Sequence, residues 1–130
     1  MISLEYIAGF FDADGHVGIY KTIRKHGRSY HYQVRLTFIN TDKKIIETIQ
    51  EKIKNDINIK GNIIIDKKPN PKHREAYQLI YTNKTALKVI YLIQEFTILK
   101  KERLEIVKQF QEHKNQYNGR SYGRNKLSSQ

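Results

Sequence analysis

The sequence predicts an α+β fold, in which four antiparallel strands carry helices on one face. Three observations predict it. Apolar residues recur at helical spacing in separate stretches, runs of alternating apolar and polar residues fall in pairs between them, and a turn or loop signal joins the members of each pair. The order reads helix, two strands, helix, two strands, helices. With 130 residues the chain is long enough for one domain with one core. We place that domain at residues 1–116 and expect a basic, flexible tail at 117–130.

The stretch from Leu4 to Gly15 opens the chain, and its first two thirds read as a short apolar helix with Ala8 and Gly9 in the middle. It ends in Asp12, Asp14 and Gly15. Glycine is a normal helix stop because it can take positive φ. Two acids in a last turn are not, because the macrodipole already places negative charge there. A positive group should compensate, and a divalent cation is the first candidate. An EF-hand is excluded: counted from Asp12, its sixth and twelfth positions hold Val17 and Ile23 instead of Gly and Glu.

After Gly15 the period changes to two. Val17, Ile19 and Ile23 share one face, with His16, Gly18, Tyr20, Thr22 and Arg24 on the other. Lys25 to Arg28 is a glycine-containing turn. The second strand puts Tyr30, Tyr32, Val34, Leu36 and Phe38 on its apolar face, and Ser29, His31, Gln33, Arg35 and Thr37 opposite. Asn40-Thr41-Asp42 signals a helix start. Ile45, Ile46, Ile49 and Ile53 then recur at helical spacing to about Asn55, before Asn58 to Gly61 breaks the helix. Strands are expected over 62–68 and 74–82, joined by Pro69-Asn70-Pro71, with Tyr77, Leu79 and Tyr81 inward and Ala76, Gln78 and Ile80 outward. Asn83 is expected to cap the next helix, whose apolar stripe is Ala86, Leu87, Ile90 and Ile93. A last helix is expected from Leu99 to about Gln116, with Leu104, Val107 and Phe110 buried.

Lys and Arg number 24 against 13 Asp and Glu, a formal net charge of +11. The positive charge is segregated. From His16 to Thr41 there is no acid, while Lys21, Arg24, Lys25, Arg28 and Arg35 are basic; His113 to Gln130 is likewise acid-free. Such a pattern points to a polyanionic partner. The chain has no cysteine, which excludes disulfides and thiolate metal sites. No apolar run approaches transmembrane length, and no basic segment opens the chain as a signal peptide would. An intracellular protein without membrane contact is expected. The abundance of Ile, Lys and Asn suggests an AT-rich genome, such as that of an organelle (mitochondrion or chloroplast) or a phage, with a bacterial source also open.

Ile7-Ala8-Gly9-Phe10-Phe11-Asp12-Ala13-Asp14-Gly15 resembles the LAGLIDADG motif of homing endonucleases: an apolar residue, Ala-Gly, two bulky apolar residues, Asp-Ala-Asp and Gly. The residues alone also fit a core helix followed by a solvated acidic turn. The family has an αββαββα core with a saddle-shaped four-stranded sheet, so the resemblance covers nearly the whole chain to Gln116. It implies a site-specific double-strand DNA endonuclease of intron homing that hydrolyses phosphodiesters with Mg²⁺, Mn²⁺ being able to substitute. The alternative on the same scaffold is an RNA maturase acting on intron RNA, or a non-catalytic DNA-binding protein. The motif occurs once, and family members of this kind act as homodimers on long near-palindromic sites. Tyr6, Ala8, Gly9 and Phe10 would then form the dimer interface, the small residues allowing close helix approach.

The same resemblance implies roles for particular residues. Asp14 corresponds to the metal-binding acid, with the Ala13 carbonyl as a further ligand; Asp12 corresponds to the first motif acid, whose role is more structural. Lys100 matches the basic residue near the scissile phosphate, although a solvated lysine at a helix start fits the residue equally. Asp42 falls where the family carries a variable polar residue that positions water, and it reads as well as a helix cap. A polar, basic sheet face can lie in the major groove. The DNA contacts expected on it are His16, Tyr20, Thr22, Arg24, Gln33, Arg35, Thr37, Ile64, Asp66, Lys68, Arg74 and Gln78. Arg35 could read guanine and Gln33 adenine, or either could hold a phosphate.

Overall fold

A computed structural model describes residues 2–23, 30–66 and 75–123, with Ile23, Tyr30 and 117–123 as backbone only. Arg24, Lys68, Arg74 and both strand-connecting turns lie outside the described residues. The elements are α1 (Leu4–Asp14), β1 (Gly15–Ile23), β2 (Tyr30–Asn40), α2 (Lys43–Ile57), β3 (Asn62–Asp66), β4 (Ala76–Thr82), α3 (Asn83–Ile93), a 3₁₀ turn (Gln94–Phe96) and α4 (Lys101–Gly123). The strands form one antiparallel sheet in the order β1-β2-β4-β3. This is the expected α+β arrangement.

Alternation along the strands decides what fills the core. Val17, Val34, Leu36, Phe38, Leu79 and Tyr81 turn inward and are buried. They meet Ile7, Ala8 and Phe11 of α1, Ile46, Ile49 and Ile53 of α2, Ala86, Val89, Ile90 and Ile93 of α3, and Leu104 and Val107 of α4. Phe38 lies at the centre, with the rings of Phe11 and Tyr81 edge-on to it at 5.6 and 6.4 Å. Leu, Ile and Phe side chains of this size each gain about 1.5–3 kcal/mol on burial, so the helices are held to one sheet face.

Several boundaries differ from the sequence expectation. α2 continues to Ile57, where Asn58 takes a left-handed conformation (φ 56°) and its N–H bonds the Lys54 carbonyl at 2.8 Å. Thr82, not Asn83, occupies the N-cap of α3. Asn83 is the first helical residue, at φ 51°, a conformation asparagine tolerates better than most residues. β3 ends at Asp66 and β4 begins at Ala76, both shorter than expected. Ala76 lies on the outward face as expected, opposite Asp66, and is nevertheless buried there. α4 begins at Lys101 and stays helical to Gly123, beyond the boundary expected at Gln116. Once a helix is nucleated, each further residue adds a hydrogen bond at little cost, so polar, aperiodic sequence can still extend it.

Candidate active site

α1 stops for a reason other than the one the sequence suggests. Gly15 is extended, at φ −94°, so positive φ is not what it supplies. A Cβ there would fall 2.2 Å from Cδ1 of Phe11. Glycine is required because the Phe11 ring, on its way into the core, occupies the space of a side chain. The chain leaves the helix straight into β1, and Asp14 is held at the junction of the two.

The acidic helix end is compensated from within the chain. No basic residue lies in the last turn of α1. Lys100 reaches across from the start of α4 instead. Its Nζ donates to the carbonyls of Asp12 at 2.7 Å and Phe11 at 3.1 Å, and the ammonium also sits 5.7 Å from the Phe11 ring centroid. The positive group expected at this end is therefore a lysine, at least for the backbone carbonyls. Asp12 returns the contact. Its carboxylate accepts from the N–H groups of Ile98 at 2.7 Å and Lys100 at 3.0 Å, while the Lys100 carbonyl accepts the first α4 bond from Leu104 at 2.9 Å. Asp12 thus holds the turn that leads into α4, and of that helix's first N–H groups it takes the one of the N-cap residue Lys100. The negative end of one helix and the positive end of the other are tied by two reciprocal sets of charge-assisted bonds.

Asp14 is different. Its side chain is exposed and has no hydrogen bond or ion pair among the described residues. It lines an open hollow with Ala13, Gly15, His16, Ile39 and Lys100. Lys100 uses two of its three N–H donors on α1, which leaves one for this hollow. The donor set for a metal is sparse. Among the described residues no three His, Cys, Asp or Glu side chains come together. Asp14 and the Ala13 carbonyl supply hard oxygen donors, which suits a cation such as Mg²⁺ that keeps most of its shell in water or shared oxygens. Asp42 does not join them. It is the N-cap of α2, its Oδ1 accepting from Lys44 N at 2.9 Å, and Ile39 is the β2 residue that reaches the hollow.

The outward sheet face extends from this hollow. The register aligns His16 with Thr37, Ile80 and Asn62; Gly18 with Arg35 and Thr82; Tyr20 with Gln33; Thr22 with His31; and Ile39 with Gln78 and Ile64. His16, Thr22 and Ile64 are exposed; Tyr20, Gln33, Arg35, Asp66 and Gln78 are half-buried. Arg35 stacks on the Tyr20 ring at 4.7 Å and donates to Gln33 Oε1 at 2.9 Å. Arg35 and Gln33 are therefore one unit and not two independent readers. Gln78 donates to Asp66 at 3.3 Å. Thr37 corrects the expectation: it faces this side but is only 6% exposed, because it lies on a central strand between His16 and Ile80. Asn62, exposed on the same face, was missed; one more step of the β3 alternation back from Ile64 reaches it.

The outer surface of α1 also departs from expectation. Ala8 is fully buried in the chain's own core and cannot meet a partner. Gly9 is exposed, and a Cβ built on it would touch nothing within 4 Å. Tyr6 is 47% exposed, and Phe10 is half-buried against Phe38. Helical phase rather than sequence adjacency separates Ala8 from Gly9.

An α+β domain in which one acid and a lysine tie two helix ends, with a second acid left open beside a polar antiparallel sheet, is the arrangement to be placed among known proteins. The chain belongs to the LAGLIDADG family: residues 1–94 match the LAGLIDADG-like domain. A comparison with curated proteins gives no match. Among solved structures it is similar to the homing endonuclease I-CvuI in complex with the I-CreI target in Mg, where the DNA is not cleaved; identity is 18%, the match covers 84% of this chain and 65% of that one, and the TM-score is 0.63. It is also similar to the archaeal intron-encoded homing endonuclease I-Vdi141I complexed with DNA, at 18% identity, 84% and 66% coverage and TM-score 0.64. The homing endonuclease I-GzeII with its DNA target matches at 21% identity and TM-score 0.63, over 90% of this chain and 38% of that one. The chain thus spans about two thirds of the first two structures, and the shared αββαββα core is the fold of the family.

Proposed function

We propose that this protein is a site-specific DNA endonuclease that cuts both strands of a long, near-palindromic site as a Mg²⁺-dependent homodimer, inside the cell and in the service of intron homing. The observation that carries this reading is Asp14: an exposed carboxylate without a partner among the described residues, in a hollow shared with Lys100, at the end of the polar sheet face. A bare acid at a helix C-terminus opposes the macrodipole and contributes nothing visible to folding, so its use lies in binding something positive.

The Asp14 carboxylate and the Ala13 carbonyl would hold the metal, which when bound supplies Lewis acidity toward a phosphodiester and lowers the pKa of a bound water. Lys100 is fixed by Phe11 and Asp12 with one N–H left over, and that donor can stabilise negative charge on a reacting phosphate. The rows from His16 to Thr22 and from Gln33 to Arg35, with Ile64, Asp66, Gln78 and Asn62, present alternate side chains to base edges and phosphates. One chain offers one Asp14. Two strands need two, and Gly9 with Tyr6 gives α1 an open surface on which a second α1 can pack across a two-fold axis.

The test is incubation with a randomised library of long duplexes in Mg²⁺, with Ca²⁺ and with Asp14→Asn as controls. Sequence-specific double-strand cleavage by the wild type alone, in Mg²⁺, is expected. Binding of intron RNA without cleavage of any duplex would instead assign the scaffold to splicing, and specific duplex binding without cleavage would make it a regulator.

A further inference from the structure

Pairing in the sheet is uneven. β1 and β2 pair from Gly15↔Phe38 out to Ile23↔Tyr30, but β2 and β4 pair only as far as Arg35↔Thr82. The outer part of β2 therefore overhangs β4, and its inner edge has lost its strand neighbour. Backbone groups on such an edge must find other partners. Here side chains of two helices supply them. Val34 N–H donates to Asn83 Oδ1 at 3.1 Å. Lys114 Nζ donates to the Tyr32 carbonyl and, at 3.3 Å, to the same Asn83 Oδ1. One turn before Lys114, Phe110 packs edge-on to Tyr32, with ring centroids 6.2 Å apart. Asn83 adopts its left-handed φ of 51° at the junction of β4 and α3, where it makes this contact.

We propose that Asn83 and Lys114 are positioning residues that hold the overhanging half of the β1–β2 hairpin in place for sequence reading. The outward face of that half carries Tyr20, Thr22 and Gln33, with Arg35 bonded to Gln33 from the last β2–β4 pair. β1 leads away from Asp14, so Tyr20 and Thr22 stand roughly 20–26 Å along the strand from it, at about 3.3 Å per residue. Any tilt of the overhang shifts those side chains most. Lys114 looks like one more basic residue for phosphates, yet its ammonium is aimed inward at a carbonyl and an amide oxygen. Partial burial also pushes its pKa below the ordinary lysine value.

The specificity half of this proposal rests on the DNA reading above; the clamp itself does not. Two measurements on Asn83→Ala and Lys114→Met separate them. Hydrogen exchange of the free protein should show the amides of 32–35 opening about tenfold faster, with α2 unchanged. Selection from randomised duplexes should show base preference lost at the positions farthest from the cleavage point and kept near it. Unchanged exchange overturns the clamp. Faster exchange with an unaltered preference profile overturns its positioning role. A salt dependence reduced by Lys114→Met but not by Asn83→Ala, at unaltered preference, makes Lys114 a phosphate contact and overturns the proposal too. If the wild type selects no duplex, the endonuclease reading and the specificity half fall together, and exchange still decides the clamp.

Discussion

Replacing Asp12 with alanine should damage the fold as much as the chemistry. The carboxylate accepts two backbone N–H groups in the turn that leads into α4, from Ile98 and from the N-cap residue Lys100. Losing a side-chain acceptor at a helix start costs about 0.5–2 kcal/mol, and a hydrogen bond to a charged group contributes about 1.5–3 kcal/mol. The Ile98 bond is exposed, so water replaces much of it; the Lys100 bond is half-buried, so water replaces less. We expect Asp12→Ala to lose about 2–3 kcal/mol, a large share of a total stability on the order of 5–15 kcal/mol. Asp12→Asn keeps one acceptor oxygen and should lose about half as much. Urea unfolding followed by circular dichroism measures both, with the slope of the transition checked for two-state behaviour. The midpoint of thermal unfolding should fall by roughly 6–12 °C for the alanine variant. A change within about 0.5 kcal/mol would refute this holding role and leave Asp12 free for another task.

Lys100→Met should leave duplex binding within a few fold but slow cleavage by at least about a hundredfold, the scale of losing one preorganised charge donor; single-turnover kinetics at saturating protein separates the two. Gly9→Leu should keep or slightly raise the stability of the monomer itself, because the added side chain meets nothing in the chain and glycine in mid-helix costs about 0.5–1 kcal/mol, yet analytical ultracentrifugation should find it a monomer at concentrations where the wild type forms the proposed dimer. Gly15→Ala should destabilise by about 1–3 kcal/mol or more through the clash with Phe11, although its backbone angles suit alanine; chemical denaturation reads this.

Periodicity carried much of the fold. Ile45, Ile46, Ile49 and Ile53 mark α2, and the alternation from Val34 to Phe38 places β2's inner face. What periodicity could not carry was orientation against distant neighbours. Ala8 and Gly9 are adjacent small residues, and only the packing of α1 on the core decides which of them is buried. Thr37 fits the outward pattern, but a central strand flanked by His16 and Ile80 covers it. Asn83 looks like a cap, yet its side chain serves Val34, a residue 49 positions away. In the site, the motif pointed to Asp14 and the wider family resemblance to Lys100. The exchange between Asp12 and Lys100 spans 88 residues, and no local rule reveals a contact at that separation.

That exchange changes how relatives of this chain can be interpreted. Asp12 and Lys100 are bound into the scaffold, so a descendant that had abandoned cleavage would still be under pressure to keep them in order to fold. Asp14 is under no such pressure. Under the proposed endonuclease reading, loss of chemistry should therefore be recorded first, and at no structural penalty, at Asp14, whose side chain has no partner among the described residues.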